Sequence, residues 1–287
     1  MRAMVLLGGG CKGAYQVGAI SHLLGERGIV YDMYCGVSVG ALNSAMLAMF
    51  STGAERDAAA SLLKVWHAVE TLSIRRRWSP FGVLHMLWKP SVYDSRPLID
   101  LVKGAMDPAR IRMSGKLLAV GAVSLNTGEY RTFCHDHPAI VDAVLASSSF
   151  PGMFCPIDID DQLWTDGGLR NGSLLKSAID MGADSIDVIM TSASSNAVEF
   201  TSKPNAIDVI VRSIDVLSDE MMEADLKVTQ LINRLVDARR LDKKKVNIRI
   251  LRPQHRLPGK SLEFNPKNIR YMIDLGYNDA ISLCKEG

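Results

Sequence analysis

The sequence predicts an α/β fold in which helices pack on the faces of a mostly parallel sheet. The chain opens with two units of one kind, each an apolar run of strand length, a glycine turn and a helical stretch. Further apolar runs at 117–123, 130–133, 162–164, 186–190 and 246–251 alternate with helical patterns at 139–146, 174–181, 205–240 and 266–283. No internal repeat, low-complexity tract or Pro/Gly/Ser-rich linker divides the chain. A single domain over residues 1–287 is therefore expected, with an insertion or lid at 72–93, where the helical period fails and Trp, Arg and Pro accumulate.

The first strand is Val5-Leu6-Leu7, closed by Gly8-Gly9-Gly10-Cys11-Lys12-Gly13. The helix after it has Tyr15, Val17, Ile20, Leu23 and Leu24 at its apolar positions and ends near Gly25 and Gly28. The second strand, 31–35, ends in Gly36-Val37-Ser38-Val39-Gly40. Two helices are expected next, a small-residue, Met-rich one at 41–50 and another at 54–70. A strand followed by a helix returns to a parallel neighbour by a right-handed crossover, which lays helices on the sheet.

With 287 residues, 47% hydrophobic and 22% charged, the chain can bury a sizeable core. Its net charge of +2 gives no field that would gather nucleic acid, so none is expected as a partner. No uncharged apolar run reaches the ~18 residues of a membrane-spanning helix. The apolar N-terminus stops at Gly8, short for the hydrophobic region of a signal peptide. The five cysteines are odd in number and scattered, with no C-x-x-C, which speaks against disulfides and zinc. A cytoplasmic location is expected; peripheral membrane contact and export without a signal peptide both stay open.

Gly36-Val37-Ser38-Val39-Gly40 is a G-x-S-x-G sequence between a strand and a helix. A serine nucleophile needs such a place: a tight turn that raises the hydroxyl, small neighbours at Gly36 and Gly40, and a helix N-terminus behind it. A plain glycine turn is the competing reading. The run 8–13 also fits G-x-G-x-x-G, but a dinucleotide site wants a carboxylate ending the second strand, and Cys35-Gly36 stands there. A phosphate-binding P-loop wants Ser or Thr after its lysine, and neither occurs. What remains is a row of backbone N–H groups at a helix N-terminus, suited to an anion such as a tetrahedral oxyanion. Lys12 either adds charge there or caps the site from solvent.

A serine needs a base. His22, His67, His85, His135, His137 and His255 lie in no setting that signals catalysis. Asp166, followed by Gly167 and Gly168 at the end of an apolar run, is a better candidate, since the glycines leave its carboxylate uncrowded. An ordinary hairpin turn reads equally well there. Ala146-Ser147-Ser148-Ser149-Phe150-Pro151 reads on its own as a loop.

Taken in order, these four pieces resemble the patatin-like phospholipase family, whose pattern is G-G-G-x-[KR]-G, G-x-S-x-G, A-S-x-x-x-P and D-G-[AG]. The stretches Leu169-Arg170-Asn171-Gly172, Met181-Gly182-Ala183-Asp184, Phe264-Asn265-Pro266 and Leu275-Gly276-Tyr277 are also similar to it. The resemblance implies a three-layer α/β/α sandwich and a Ser-Asp dyad without histidine. It makes Ser38 the nucleophile, Asp166 the base and the turn Gly8, Gly9, Gly10, Cys11, Lys12 and Gly13 the oxyanion hole. It implies phospholipid or other acyl-ester substrates, with no cofactor and no metal. The alternative is a lipid-binding or scaffold protein with residual esterase activity. Finally, residues 75–89 combine Arg75, Arg76, Arg77 and Lys89 with Trp78, Trp88 and several aliphatics, a mixture suited to a membrane surface or to core packing.

Overall fold

The computed structural model describes residues 1–77, 88–172, 174–193, 203–204, 206–238, 242 and 244–285. Strand β1 (Arg2–Leu6) leads through the glycine turn into α1 (Gly13–Ile20), which continues as a wider π-type turn to Glu26. Strand β2 (Met33–Gly36) leads into α2 (Val39–Leu47), and α3 (Glu55–Ala68) follows. The short α4 (Thr71–Ile74) and the two-residue strands β3 (Arg76–Arg77) and β4 (Tyr93–Asp94) frame the expected insertion. Helices α5 (Arg96–Ala105) and α6 (Pro108–Met113) return the chain to β5 (Leu117–Ser124), β6 (Tyr130–Cys134) and α7 (Ile140–Ser147). Then come β7 (Ile157–Ile159), β8 (Gln162–Asp166), α8 (Leu175–Asp180), β9 (Ser185–Ile189), α9 (Ala206–Asp237), β10 (Asn247–Leu251) and α10 (Pro266–Lys285).

Eight strands form one sheet in the order β10-β9-β1-β2-β5-β8-β7, with β6 also on β5. The block from β10 to β5 is parallel, and β6, β7 and β8 are antiparallel additions at one side. Strand residues alternate between two cores, as a pleat with period two requires. Met4, Leu6, Tyr34, Leu118 and Val120 join the core under α1, α2, α3, α7 and α10. Ala3, Val5, Met33, Cys35 and Ala119 join the opposite core with Leu175 and Ala178 of α8 and Met222 and Leu226 of α9. Both faces of the sheet are thus covered, giving the three-layer α/β/α sandwich.

Helix α10 meets α1 backbone to backbone. A Cβ on Gly18 would stand 1.9 Å from the Ile273 carbonyl oxygen, and one on Gly276 2.0 Å from that of Tyr15. At the insertion, β3 pairs with β4, which pins the two ends of the segment together. Arg76 bridges Asp94 at 2.8 Å, and the Arg75 guanidinium lies 4.1 Å over the Tyr93 ring. Two of the arginines weighed between a membrane surface and core packing are therefore engaged within the protein. Residues 78–87, with Trp78, Phe81, Val83, Leu84, Met86 and Leu87, lie outside the described residues, while Trp88 is 77% exposed. Among the described residues no helix is long and apolar enough to cross a membrane.

Candidate active site

Strand register sets the site. Leu6 of β1 lies opposite both Gly36 of β2 and Ile189 of β9. Two residues further on, Gly8, Ser38 and Thr191 leave the sheet side by side at its carboxyl edge, where open parallel sheets hold their ligands. On the other side, Gly36 lies opposite Val120, and Ala122, two residues on, lies opposite Asp166 of β8. Asp166 is therefore level with Ser38. It ends a strand and enters a single 3-10 turn, Gly167–Leu169, so the hairpin reading of Asp166-Gly167 does not hold.

Ser38 has φ 57° and ψ −129°, a conformation costing on the order of 1–3 kcal/mol for a residue with a side chain. The surrounding backbone enforces it. A Cβ on Gly40 would stand 2.0 Å from the Leu6 carbonyl oxygen, and one on Gly36 2.2 Å from that of Gly40, so the elbow closes only around these glycines. Helix α2 starts at the next residue, and its N-terminus adds partial positive charge beside the hydroxyl.

The segment 146–151, read from sequence as a loop, joins the two motifs. The Ser38 N–H donates to Ser147 Oγ at 3.0 Å. The Ser149 carbonyl accepts the Asp166 N–H at 3.1 Å and the Thr165 hydroxyl at 2.6 Å. Asp166 is 4% exposed, and its Oδ1 accepts the Gly168 N–H at 2.9 Å. Burial pushes its pKa from 3.8 up to about 6, while the nearby Ser38 hydroxyl and the Gly168 N–H pull the other way.

The glycine turn divides its donors. The Cys11 N–H goes to the Ser261 carbonyl at 2.8 Å, the Lys12 N–H to the Gly9 carbonyl at 3.2 Å, and the Gly13 N–H back to the carbonyls of Gly10 and Cys11. Three of the six residues expected around an oxyanion thus have their N–H groups engaged in holding the turn. The N–H groups of Gly8, Gly9 and Gly10 donate to no group among the described residues. Gly9 (φ 146°) and Gly10 (φ 59°) adopt angles that side chains resist. The Lys12 ammonium stands 3.9 Å from Asp215 of α9. The buried Cys11 thiol is pushed up to about 11 and stays neutral.

Gly8, Gly9, Gly10, Ser38 and Asp166 line one cavity of about 160 Å³. Its lining includes the apolar side chains of Leu42, Met46, Leu62, Trp66, Val102 and Phe154 and the polar ones of Lys12, Thr191, Asp215, Asp219 and Arg256. No histidine lines it among the described residues. Nor do three His, Cys, Asp or Glu side chains gather there or elsewhere among those residues as a metal site would require.

Sequence reading passed over a buried chain of amides behind the pocket. Trp66 Nε1 donates to Asn43 Oδ1 at 2.9 Å, Asn43 Nδ2 to Gln16 Oε1 at 2.9 Å, and Gln16 Nε2 to the Leu7 carbonyl at 2.7 Å. It ties α3, α2 and α1 to the start of the glycine turn. The available signal was two amides, Gln16 and Asn43, among the small and apolar residues of helices that open straight after glycine motifs.

The crystal structure of VipD from Legionella pneumophila is similar at 15% identity and a TM-score of 0.49, over 99% of this chain and 67% of that one. The family model described as patatin-like phospholipase matches residues 4–179, which hold the glycine turn, the serine elbow, the clamp at 146–151 and Asp166. With more than half its length matched, the chain belongs to the patatin-like phospholipase family, whose members are hydrolases of lipid esters.

Proposed function

We propose that the protein is a serine lipid acyl hydrolase of the phospholipase A or lysophospholipase type, working through a Ser38–Asp166 dyad and an acyl-enzyme. One observation carries this reading: a serine on a strained elbow and a buried carboxylate line the same cavity, together with many apolar side chains. Asp166 accepts the Ser38 proton as Oγ attacks the ester carbonyl. The tetrahedral oxyanion receives N–H groups of Gly8, Gly9 and Gly10. Collapse expels the alcohol, which takes the proton from Asp166 and leaves the acyl group on Ser38. Water then attacks with Asp166 again as base, releasing the fatty acid and restoring Ser38.

The apolar lining suits an acyl chain and the polar lining residues suit the rest of the lipid. Residues 1–287 are read as one domain, because β9, β10 and α10, beyond the matched 4–179, complete the same sheet and core. The segment 72–93 is read as an insertion beside the cavity, since Ile74 lines it. Peripheral membrane contact through 75–89 is kept, now resting on Trp88.

The test is covalent labelling with an alkyl fluorophosphonate together with ester turnover. The wild type is expected to label and hydrolyse. Ser38→Ala loses both, and Asp166→Asn lowers turnover by several orders of magnitude, with no further loss in the double variant. A wild type that binds lipid but neither labels nor turns over would make it a binding protein instead.

A further inference from the structure

We infer that Thr191 is a positioning residue of the oxyanion hole: its hydroxyl holds the Gly8 carbonyl and thereby aims the Gly9 N–H at the reacting oxygen. The inference rests on the hydrolase reading and adds to it a residue from outside the matched family span.

Three observations converge. Thr191 follows β9 by two residues, and the shared register brings it beside Gly8 at the carboxyl edge of the sheet. The side chain is buried, and its Oγ1 donates to the Gly8 carbonyl oxygen. It is also packed against the next residue: a Cβ on Gly9 would stand 2.3 Å from Thr191 Oγ1.

Peptide geometry turns this contact into an orientation. The Gly8 carbonyl and the Gly9 N–H belong to one planar trans unit and point in opposite directions. Fixing the carbonyl on Thr191 therefore fixes the N–H on the side away from Thr191. Ser38 lies close to the same unit, since a Cβ on Gly8 would stand 3.0 Å from Ser38 Cβ and 3.6 Å from its Oγ. The unit needs an external hold. Gly8 and Gly9 have no side chains to limit rotation, and the Gly9 N–H has no acceptor among the described residues to anchor it. The neighbouring units are held by other groups: the Leu7 carbonyl by Gln16 and the Gly9 carbonyl by the Lys12 N–H. For the Gly8–Gly9 unit, Thr191 is the side chain in that place. Catalysis by such donors depends on their being oriented before charge develops, and that is what the hydroxyl supplies.

The test compares Thr191→Val, which keeps shape and loses the hydroxyl, with Thr191→Ser, which keeps the hydroxyl. Removing an oxyanion donor outright costs about 10²–10³ in kcat, so loosening one is expected to cost on the order of 10- to 100-fold. The expected result is that loss in kcat for Thr191→Val, with KM within about twofold and near wild-type kcat for Thr191→Ser. Affinity for an alkyl trifluoromethyl ketone, which forms a tetrahedral oxyanion on Ser38, should fall in parallel, while decanoate binding stays unchanged. Wild-type kcat in Thr191→Val, or equal damage in Thr191→Ser, overturns the inference. Should Thr191→Val not fold, Thr191→Cys, of similar volume and with a weak donor, replaces it; failure of both to fold assigns Thr191 a structural role and also overturns it. A wild type with no esterase activity defeats the hydrolase reading, whereas an active wild type with an indifferent Thr191→Val defeats this inference alone.

Discussion

Asp166 is placed where its charge is useful and costly at once. Its folded pKa of about 6 lies above the 3.8 of an exposed aspartate, so between those values the folded chain holds more protons than the unfolded one. Stability therefore falls as pH rises from about 4 to about 6 and stays lowered above, by about 3 kcal/mol for a shift of this size. On the proposed mechanism activity runs the other way, because only the ionised carboxylate can take the Ser38 proton. We expect kcat/KM to rise with pH through about 6 and then level off. Asp166→Asn should be inactive, yet more stable than wild type at pH 7.5 and nearly equal to it at pH 4. Chemical denaturation at the two pH values checks this; equal wild-type and variant stabilities at pH 7.5 would refute the burial penalty. Ser38 and Asp166 were legible because their glycine neighbours leave a local pattern. Ser147 was legible only as part of the 146–151 pattern, and Gln16, Asn43 and Thr191 were not, because a lone polar side chain carries no pattern.

At the level of elements, hydrophobic period located most strands and helices to within a few residues. It ended β8 at Trp164, two residues short, which made Asp166 look like a turn residue rather than the end of a strand. It missed α5, α6 and β7. Strand β7 has three residues and α6 has six, too few for a period, and α5 follows directly on the irregular insertion. The contact of α1 with α10 was also hidden, since Gly18 and Gly276 each look like an ordinary helix glycine until the helices are seen to cross. Gly276→Ala would drive a methyl group into the Tyr15 carbonyl and is expected to destabilise by about 2 kcal/mol or more. Gly104→Ala in α5, where an added Cβ meets nothing within 4 Å, is the control and should be neutral or stabilising by up to about 1 kcal/mol. Urea titrations of both variants decide it; equal effects would mean that the helices separate readily.

Over the whole molecule, the parallel topology was readable from the alternation of strands and helices. The antiparallel flank that supplies Asp166 was not, because nothing local to β5 or β8 states the direction of their pairing. A site at the sheet's carboxyl edge must meet its lipid from outside, and Trp88 is an exposed aromatic among the described residues of the insertion. Trp88→Ala is expected to weaken vesicle sedimentation several-fold while hydrolysis of a short soluble ester is unchanged. Undiminished sedimentation would remove 75–89 from the membrane reading. Arg75 and Arg76 are poor probes, since replacing them also removes their contacts with Tyr93 and Asp94. The pairing of β1 with β9 has a consequence in time. Arg2 lies opposite Ser185, so the strand that feeds the glycine turn stays open on one edge until most of the chain has been synthesised. Ser38 and Asp166 emerge from the ribosome well before Thr191 and Ser261, which hold that turn. On the proposed mechanism, a nascent chain carries the proposed nucleophile and base early and gains the bracing of the proposed oxyanion hole late, so activity is expected only once its last third folds.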